Sequence, residues 1–263
     1  NRLTNGFNTG IVMRYWRPLL TPILLLIYWQ LLSSLELISA YLLPSPITVF
    51  YSAVNMWQIG ALPRHISTSL LRVFEGFCLS CCLGTMLAGL VARYSWLEQL
   101  LSAPLALFRM IPPLAMTPLL ILWLGIGETT QLSIIVLASV FPIFLNTRDG
   151  LRRVSTAHKE LAISLNLSPL RYLLAIVIPS ATPSVVTGFR LAFGYSWRAL
   201  IGAELIAASS GLGYLIIDSQ EMMRTDAVIV GILTIGLIGW LLDTLFYRSL
   251  VLLLRRRFPE VTS

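Results

Sequence analysis

Five stretches of this chain carry no charged residue: 18–35, 76–92, 110–127, 129–147 and 227–242. Each approaches the roughly 20 apolar residues with which a helix crosses about 30 Å of hydrocarbon. Hydrocarbon offers no partner to backbone N–H and C=O groups, so a crossing segment must be a helix or a strand of a closed barrel. These runs are too long and too unalternating for barrel strands. Composition agrees: 56% of the 263 residues are hydrophobic and 12% are charged, about half the charged share of a soluble domain. The expected fold class is therefore all-α, a polytopic membrane protein of about six transmembrane helices, near 18–38, 65–92, 97–123, 129–148, 180–206 and 227–253. The first run lacks a small-residue cleavage pattern and reads as a retained helix, not a leader.

A net charge of +7 would point to nucleic acid in a soluble protein, but in a membrane protein basic residues record orientation. Arg14 and Arg17 precede the first run, and no further basic residue occurs until Arg64. Arg93 closes the second helix, Arg148, Arg152, Arg153, Lys159 and Arg171 crowd the loop after the fourth, and Arg255, Arg256 and Arg257 follow the sixth. Both termini are thus expected in the cytoplasm. Cys78, Cys81 and Cys82 lie inside the second helix without the His and acidic companions of a metal site, so they read as packing residues. His65 and His158 are the only histidines and fall on opposite expected sides, which disfavours a membrane-embedded enzyme. Lys159, the only lysine, has no glycine run around it, so the chain lacks a P-loop.

Local features refine this outline. Pro44 and Pro46 mark a turn ahead of an apolar-aromatic segment, either a helix along the bilayer surface or a connecting loop. Arg109 followed by Pro112, Pro113 and Pro118 should bend or break the third helix, because proline removes a helical hydrogen bond and clashes with the preceding turn. Such a break either lines a pathway or simply kinks the packing. Cys81, Gly84, Thr85, Ala88, Gly89 and Ala92 in the second helix, and Ala227, Gly231 and Gly236 near Trp240 in the sixth, read as close-approach positions. Arg72, Glu75, Arg109, Arg190, Arg198, Glu204 and Asp243 fall in or near membrane segments, where each needs a partner or water. Arg72 is expected to pair with Glu75 one turn on. Arg109 and Arg198 either pair or line the path of an anion.

The loop beginning TRDGLRRVSTAHKELAISLNLSPLRYLLAIVIP at Thr147 is too charged in its first half to cross a bilayer. Ser155 or Thr156 can cap a helix with Glu160 in its first turns. Ser168 and Pro169 then open a second helix, and Pro179 marks the return to the membrane.

This loop resembles the cytoplasmic EAA loop of ABC-importer permeases at Glu160, Leu161, Ala162, Asn166, Leu167, Ser168, Pro169, Ile178 and Pro179. Leu161 stands where the family usually has a small Ala, and Asn166 where it usually has Gly; Asn tolerates left-handed backbone better than most residues. The likeness continues through LLPSPITVF (42–50), HISTSLLRVFEGF (65–77), RMIPPLAMTPLLILWLGIGETTQ (109–131), FPIFLNTRDGL (141–151), IPSATPSVVTGFRLAFGYSW (178–197) and AELIAASSGLGYLI (203–216). It is nearest the permeases of sulfonate, taurine, nitrate and bicarbonate importers.

The resemblance implies a type I importer permease, a single transmembrane domain over 1–263 with its coupling loop at about 149–179. It implies a bacterial inner membrane, a second copy of the chain, two ATP-binding cassette subunits that bind ATP and Mg, and a periplasmic or lipoprotein substrate-binding protein. No catalytic residue, metal or cofactor is expected in this chain, and no nucleic-acid partner. Transport would proceed by alternating access, of a small anion, a sulfonate such as taurine by preference, with nitrate, bicarbonate or a thiamine precursor as alternatives. Candidate path residues are Arg109, Pro112, Pro113, Arg198, Glu204, Gly211 and Gly213, with 211–214 either opening a re-entrant element near the external gate or forming a flexible loop. A secondary transporter or channel, which needs no ATPase partner, is the reading outside this family.

Overall fold

A computed structural model describes residues 7–35, 38–154, 160 and 162–257, with side chains described within 20–249. Among the described residues there are helices and turns and no strand. The elements are α1 (Phe7–Ser34), α2 (Pro46–Gln58), α3 (Ala61–Arg93), α4 (Ser95–Phe108), a 3-10 turn (Pro113–Met116), α5 (Thr117–Leu124), α6 (Glu128–Arg152), α7 (Pro169–Tyr172), a π-helical segment (Leu173–Val177), α8 (Ile178–Ala207), α9 (Leu212–Glu221) and α10 (Thr225–Arg257).

Four described stretches are long and apolar enough to cross a bilayer: Ala61–Arg93, Glu128–Arg152, Pro169–Glu221 and Thr225–Ser249. A fifth is made by Ser95–Phe108 and Pro113–Leu124 if that bent pair counts as one span; the two limbs meet at 85°. The break expected at the prolines is there. Pro112 sits at φ −60° and ψ 127°, the extended backbone that a following proline imposes, and α4 cannot continue through it. α1 covers the first expected span, although its described apolar stretch, Leu20–Ser34, is shorter than the other spans.

The chain divides into two compact units. The first takes the chain through Pro63 together with Leu215–Ile232. Here the proline-delimited turn does open a helix: Ser45 caps α2 by accepting from the Thr48 N–H at 3.1 Å, and Pro46 occupies the first turn, where its missing N–H costs nothing. Trp29 Nε1 donates to the Pro44 carbonyl at 3.1 Å, and Thr225 Oγ1 donates to the Tyr41 carbonyl at 2.7 Å.

The second unit takes Arg64–Tyr214 and the chain from Leu233 onward. Its helices approach closely through glycines. A Cβ on Gly76 would lie 2.6 Å from Ile135 Cγ2, one on Gly84 would lie 2.7 Å from Ile143 Cγ2, and one on Gly188 would lie 2.7 Å from Asn146 Cβ. These contacts join α3 to α6 and α6 to α8, the close packing on which helix association in lipid depends. Phe77 meets the rings of Phe189, Phe193 and Phe246 edge-on, and Phe193 stacks on Phe246 with centroids 5.0 Å apart. Gly84 and Ala88 face neighbours as expected, whereas Gly89 and Gly236 face open space. In α10 the expected Gly231 does receive a neighbour, Ile216 Cγ1 at 2.8 Å from its virtual Cβ, and so does Gly239, with Trp197 Nε1 at 2.5 Å. Cys78 and Cys82 are exposed on α3.

Candidate functional site

Three arrangements carry chemistry, all within the second unit. The first is the loop between α6 and α8. Glu160 is helical and exposed, and Ala162 to Ser164 are helical. That helical turn ends on Asn166, whose φ is 47°. The Asn166 N–H donates to the Ile163 carbonyl at 2.9 Å and the Leu167 N–H to the Ala162 carbonyl at 3.0 Å. This pair of bonds is a Schellman termination, which calls for a left-handed residue at the position Asn166 holds. Ser168 then caps α7, its Oγ accepting from the Arg171 N–H at 3.4 Å, and Pro169 follows at the first helical position. Leu161, Lys159 and the expected caps Ser155 and Thr156 lie outside the described residues.

A notch of about 480 Å³ lies over this turn, lined by Ala162, Ile163, Asn166, Leu167, Pro169 and Tyr172. Ala162 is buried while Ile163 is 78% exposed, so the notch has an apolar rim open to a partner. After α7 the helix widens: the Ile178 N–H reaches back to the Leu173 carbonyl, a five-residue step, just before Pro179, which has no N–H to give. Amide exchange checks the turn. Asn166→Gly should leave the Leu167 N–H as protected as in the parent chain. Asn166→Val should speed its exchange roughly 5- to 30-fold, the equivalent of the 1–2 kcal/mol that left-handed backbone costs a residue with a β-branch.

The second arrangement is a pair of cavities along α6. One of about 430 Å³ is lined by Arg109, Pro113, Leu114, Leu137, Ala138, Phe141, Tyr195 and Arg198, among others. It brings together three of the expected path residues, Arg109, Pro113 and Arg198, while Pro112 supplies the turn that points Pro113 inward. Neither Arg109 nor Arg198 makes a side-chain hydrogen bond or ion pair among the described residues. The other intramembrane charges behave differently. Arg190 lies 3.6 Å from Asp243 and over the ring of Tyr247, and Glu75 is simply exposed.

The third arrangement was not anticipated. Arg72 does not pair with Glu75. It turns inward and holds Glu128 through two bonds, Nε to Oε2 at 2.8 Å and Nη2 to Oε1 at 2.6 Å. Its Nη1 donates to Glu204 Oε1 at 3.0 Å and to the Ser210 carbonyl at 2.5 Å. Glu204, 1% exposed, also accepts from Ser69 Oγ at 2.8 Å and from the Gly213 N–H at 2.9 Å. The Leu212 N–H donates to Ser69 Oγ at 2.8 Å and the Gly211 N–H to His65 Nδ1 at 3.1 Å. Gly211 has φ 113° and its virtual Cβ would overlap Glu204 Oε1, so no other residue fits. Three of the expected path residues, Glu204, Gly211 and Gly213, are thus brought together here. They form a buried clamp that ties the segment entering α9 to α3, α6 and α8. Burial of these charges is tolerable because each polar atom has a charge-assisted bond. The sequence signal was the acid Glu204 inside an apolar helix, but same-helix spacing could not reveal a partner 132 residues away.

Comparison with known proteins places this geometry. The family described as binding-protein-dependent transport system inner membrane component matches residues 80–259. SsuC of Bacillus subtilis (strain 168), named an aliphatic sulfonates transport permease protein, is 34% identical over 92% of this chain and 86% of its own length. Its namesake in Escherichia coli (strain K12) is 37% identical over 86% of each chain. The taurine transport system permease protein TauC of Escherichia coli (strain K12) is 32% identical over 85% of this chain and 83% of its own. A crystal structure of an amino acid ABC transporter with histidines shares the fold at a TM-score of 0.63, with 18% identity over 79% of this chain and 98% of that one. With its apolar helices, proline-broken span and helix-turn-helix loop, the chain belongs to the binding-protein-dependent inner membrane components, the permeases of ABC importers.

Proposed function

We propose that this chain carries a small organic anion, a sulfonate such as taurine by preference, into the cytoplasm by alternating access. Two copies form the route as one permease domain each, in a bacterial inner membrane with both termini cytoplasmic. Two ATP-binding cassette subunits bind ATP and Mg and dock on the loop around Glu160, and an external binding protein delivers the substrate. The observation that carries this reading is the cavity holding Arg109 and Arg198. Two cations without carboxylate partners are expensive in a membrane segment, and an anion passing between them offsets that expense. The names of SsuC and TauC favour a sulfonate over nitrate, bicarbonate or a thiamine precursor.

Proteoliposomes containing the chain with its ATPase and binding-protein partners test the reading. ATP-dependent taurine uptake is expected, together with taurine-stimulated ATP hydrolysis. Replacing Arg109 and Arg198 together by Gln should lower uptake at least about tenfold while basal ATP hydrolysis persists. Uptake by the chain alone, without ATP, would make it a secondary transporter or channel. Uptake of nitrate but not taurine would overturn the substrate.

A further inference from the structure

A second cavity, of about 240 Å³, lies next to the first along α6 and is lined by Glu98, Ser102, Arg109, Phe141, Phe144 and Arg148, among others. Arg109 and Phe141 belong to both. The two spaces therefore share one wall made of a cation and an aromatic ring. Their linings on α6 follow a single stripe: Leu137, Ala138 and Phe141 in the first, then Phe141, Phe144, Leu145 and Arg148 in the second. Steps of three and four keep these residues on one helix face. From Ala138 to Arg148 the stripe climbs ~15 Å at 1.5 Å per residue.

From this geometry we infer that the cavities are consecutive stations for an oxyanion, with Arg109 handing the anion from Arg198 to Arg148 past the ring of Phe141. The inference rests on the importer reading for its direction, from the Arg198 cavity toward the basic cytoplasmic loop. It adds Arg148 and Phe141, neither of which the sequence singled out as path residues. The stations differ in kind. The first cavity falls within the ~300–1,000 Å³ of resident small-molecule sites, and the second is below it, which suits passage better than storage. The charges agree. In the first, neither arginine has a side-chain partner among the described residues. In the second, Arg148 is shared with Asp149 at 2.8 Å and lies over the Phe144 ring at 5.6 Å, while Glu98 is held by Arg152. An anion meeting Arg148 and the Glu98 carboxylate is held more weakly than one between Arg109 and Arg198, as release to the cytoplasm requires.

Phosphate of a lipid headgroup presents the same chemistry, so the experiment separates the sources. In full-length chain bound to its ATPase partners in nanodiscs, Cys78, Cys81 and Cys82 are replaced by Ala. One reporter thiol is then introduced by Ala138→Cys for the first cavity or Ser102→Cys for the second. Each thiolate attacks 2-sulfonatoethyl methanethiosulfonate, or its trimethylammonium analogue, forming a mixed disulfide and releasing methanesulfinate. Relative to a free thiol, both positions should favour the sulfonate reagent. Arg109→Gln should lower that preference about tenfold at both, Arg198→Gln only at residue 138, and Arg148→Gln only at residue 102. Arg148→Lys should restore the preference, and Asp149→Asn, which leaves Arg148 in place, should not reduce it; loss in Asp149→Asn would assign Arg148 a merely structural role. Ethanesulfonate should protect both thiols in pure phosphatidylcholine. The inference is overturned if Arg109→Gln acts at one position only, or if Arg148→Gln leaves residue 102 unchanged. It is equally overturned if phosphatidylglycerol protects the thiols and ethanesulfonate does not. The readout requires no transport, so it stands or falls separately from taurine uptake.

Discussion

Arg72→Met should destabilise the protein by about 3–5 kcal/mol, the range for removing one partner from a buried ion pair. The Arg72 side chain is 4% exposed and that of its partner Glu204 is 0% exposed. Without the arginine, the Glu204 carboxylate keeps Ser69 Oγ and the Gly213 N–H but loses its cation in a medium where an uncompensated charge is costly. Glu128 is a different case. Its side chain is 61% exposed, so water takes over when the pair is broken, and Glu128→Gln should cost under about 1 kcal/mol. The double change Arg72→Met with Glu204→Gln should recover much of the loss, since both buried charges leave together. Unfolding of the purified chain in detergent gives the order: Arg72→Met lowest, the double variant next, and Glu128→Gln near the parent. If Arg72→Met is as well tolerated as Glu128→Gln, the clamp is not what holds the segment entering α9 in place.

Why this clamp escaped the sequence, while the helices did not, is a matter of range. Charge-free runs report a local property, transfer into hydrocarbon, and they marked stretches inside α3, α6 and α10. Helix α8 carries Arg190, Arg198 and Glu204 and holds no such run, yet the apolar text around those charges placed its span, 180–206, within a few residues of Ile178–Ala207. Proline is also local: Pro112 and Pro113 forecast the 85° break because their geometry constrains the residues beside them. Asn166 came by another route: the resemblance usually has Gly at this position, and Asn tolerates the left-handed backbone found there. Partnership is not local. Arg72 had Glu75 within one turn, yet a buried arginine with five donors is satisfied better by two carboxylates and the Ser210 carbonyl than by one exposed neighbour. Only the packing of α3 against α6 and α8 decides which carboxylates are in reach. The same applies to Gly239, which shares its helix and its composition with Gly236 and differs only in facing Trp197.

Charge reversal in the loop should produce the largest functional loss. Glu160→Arg is expected to weaken capture of the ATPase subunit by about 2–5 kcal/mol, the loss when one member of an interfacial charge pair is removed. That corresponds to roughly 30-fold or more in affinity. Glu160 is exposed and makes no ion pair among the described residues. Its change should therefore leave the fold intact, and unfolding should match the parent chain. The neighbouring notch separates charge from apolar docking. Ile163 stands 78% exposed at its rim, and Ile163→Ala should weaken capture through lost burial, by about 2 kcal/mol at most, without the salt dependence that marks the Glu160 contact. Copurification and taurine-stimulated ATP hydrolysis measured across a salt series distinguish the two. Normal capture by Glu160→Arg at low salt would remove Glu160 from the interface and leave the apolar notch to carry the docking by itself.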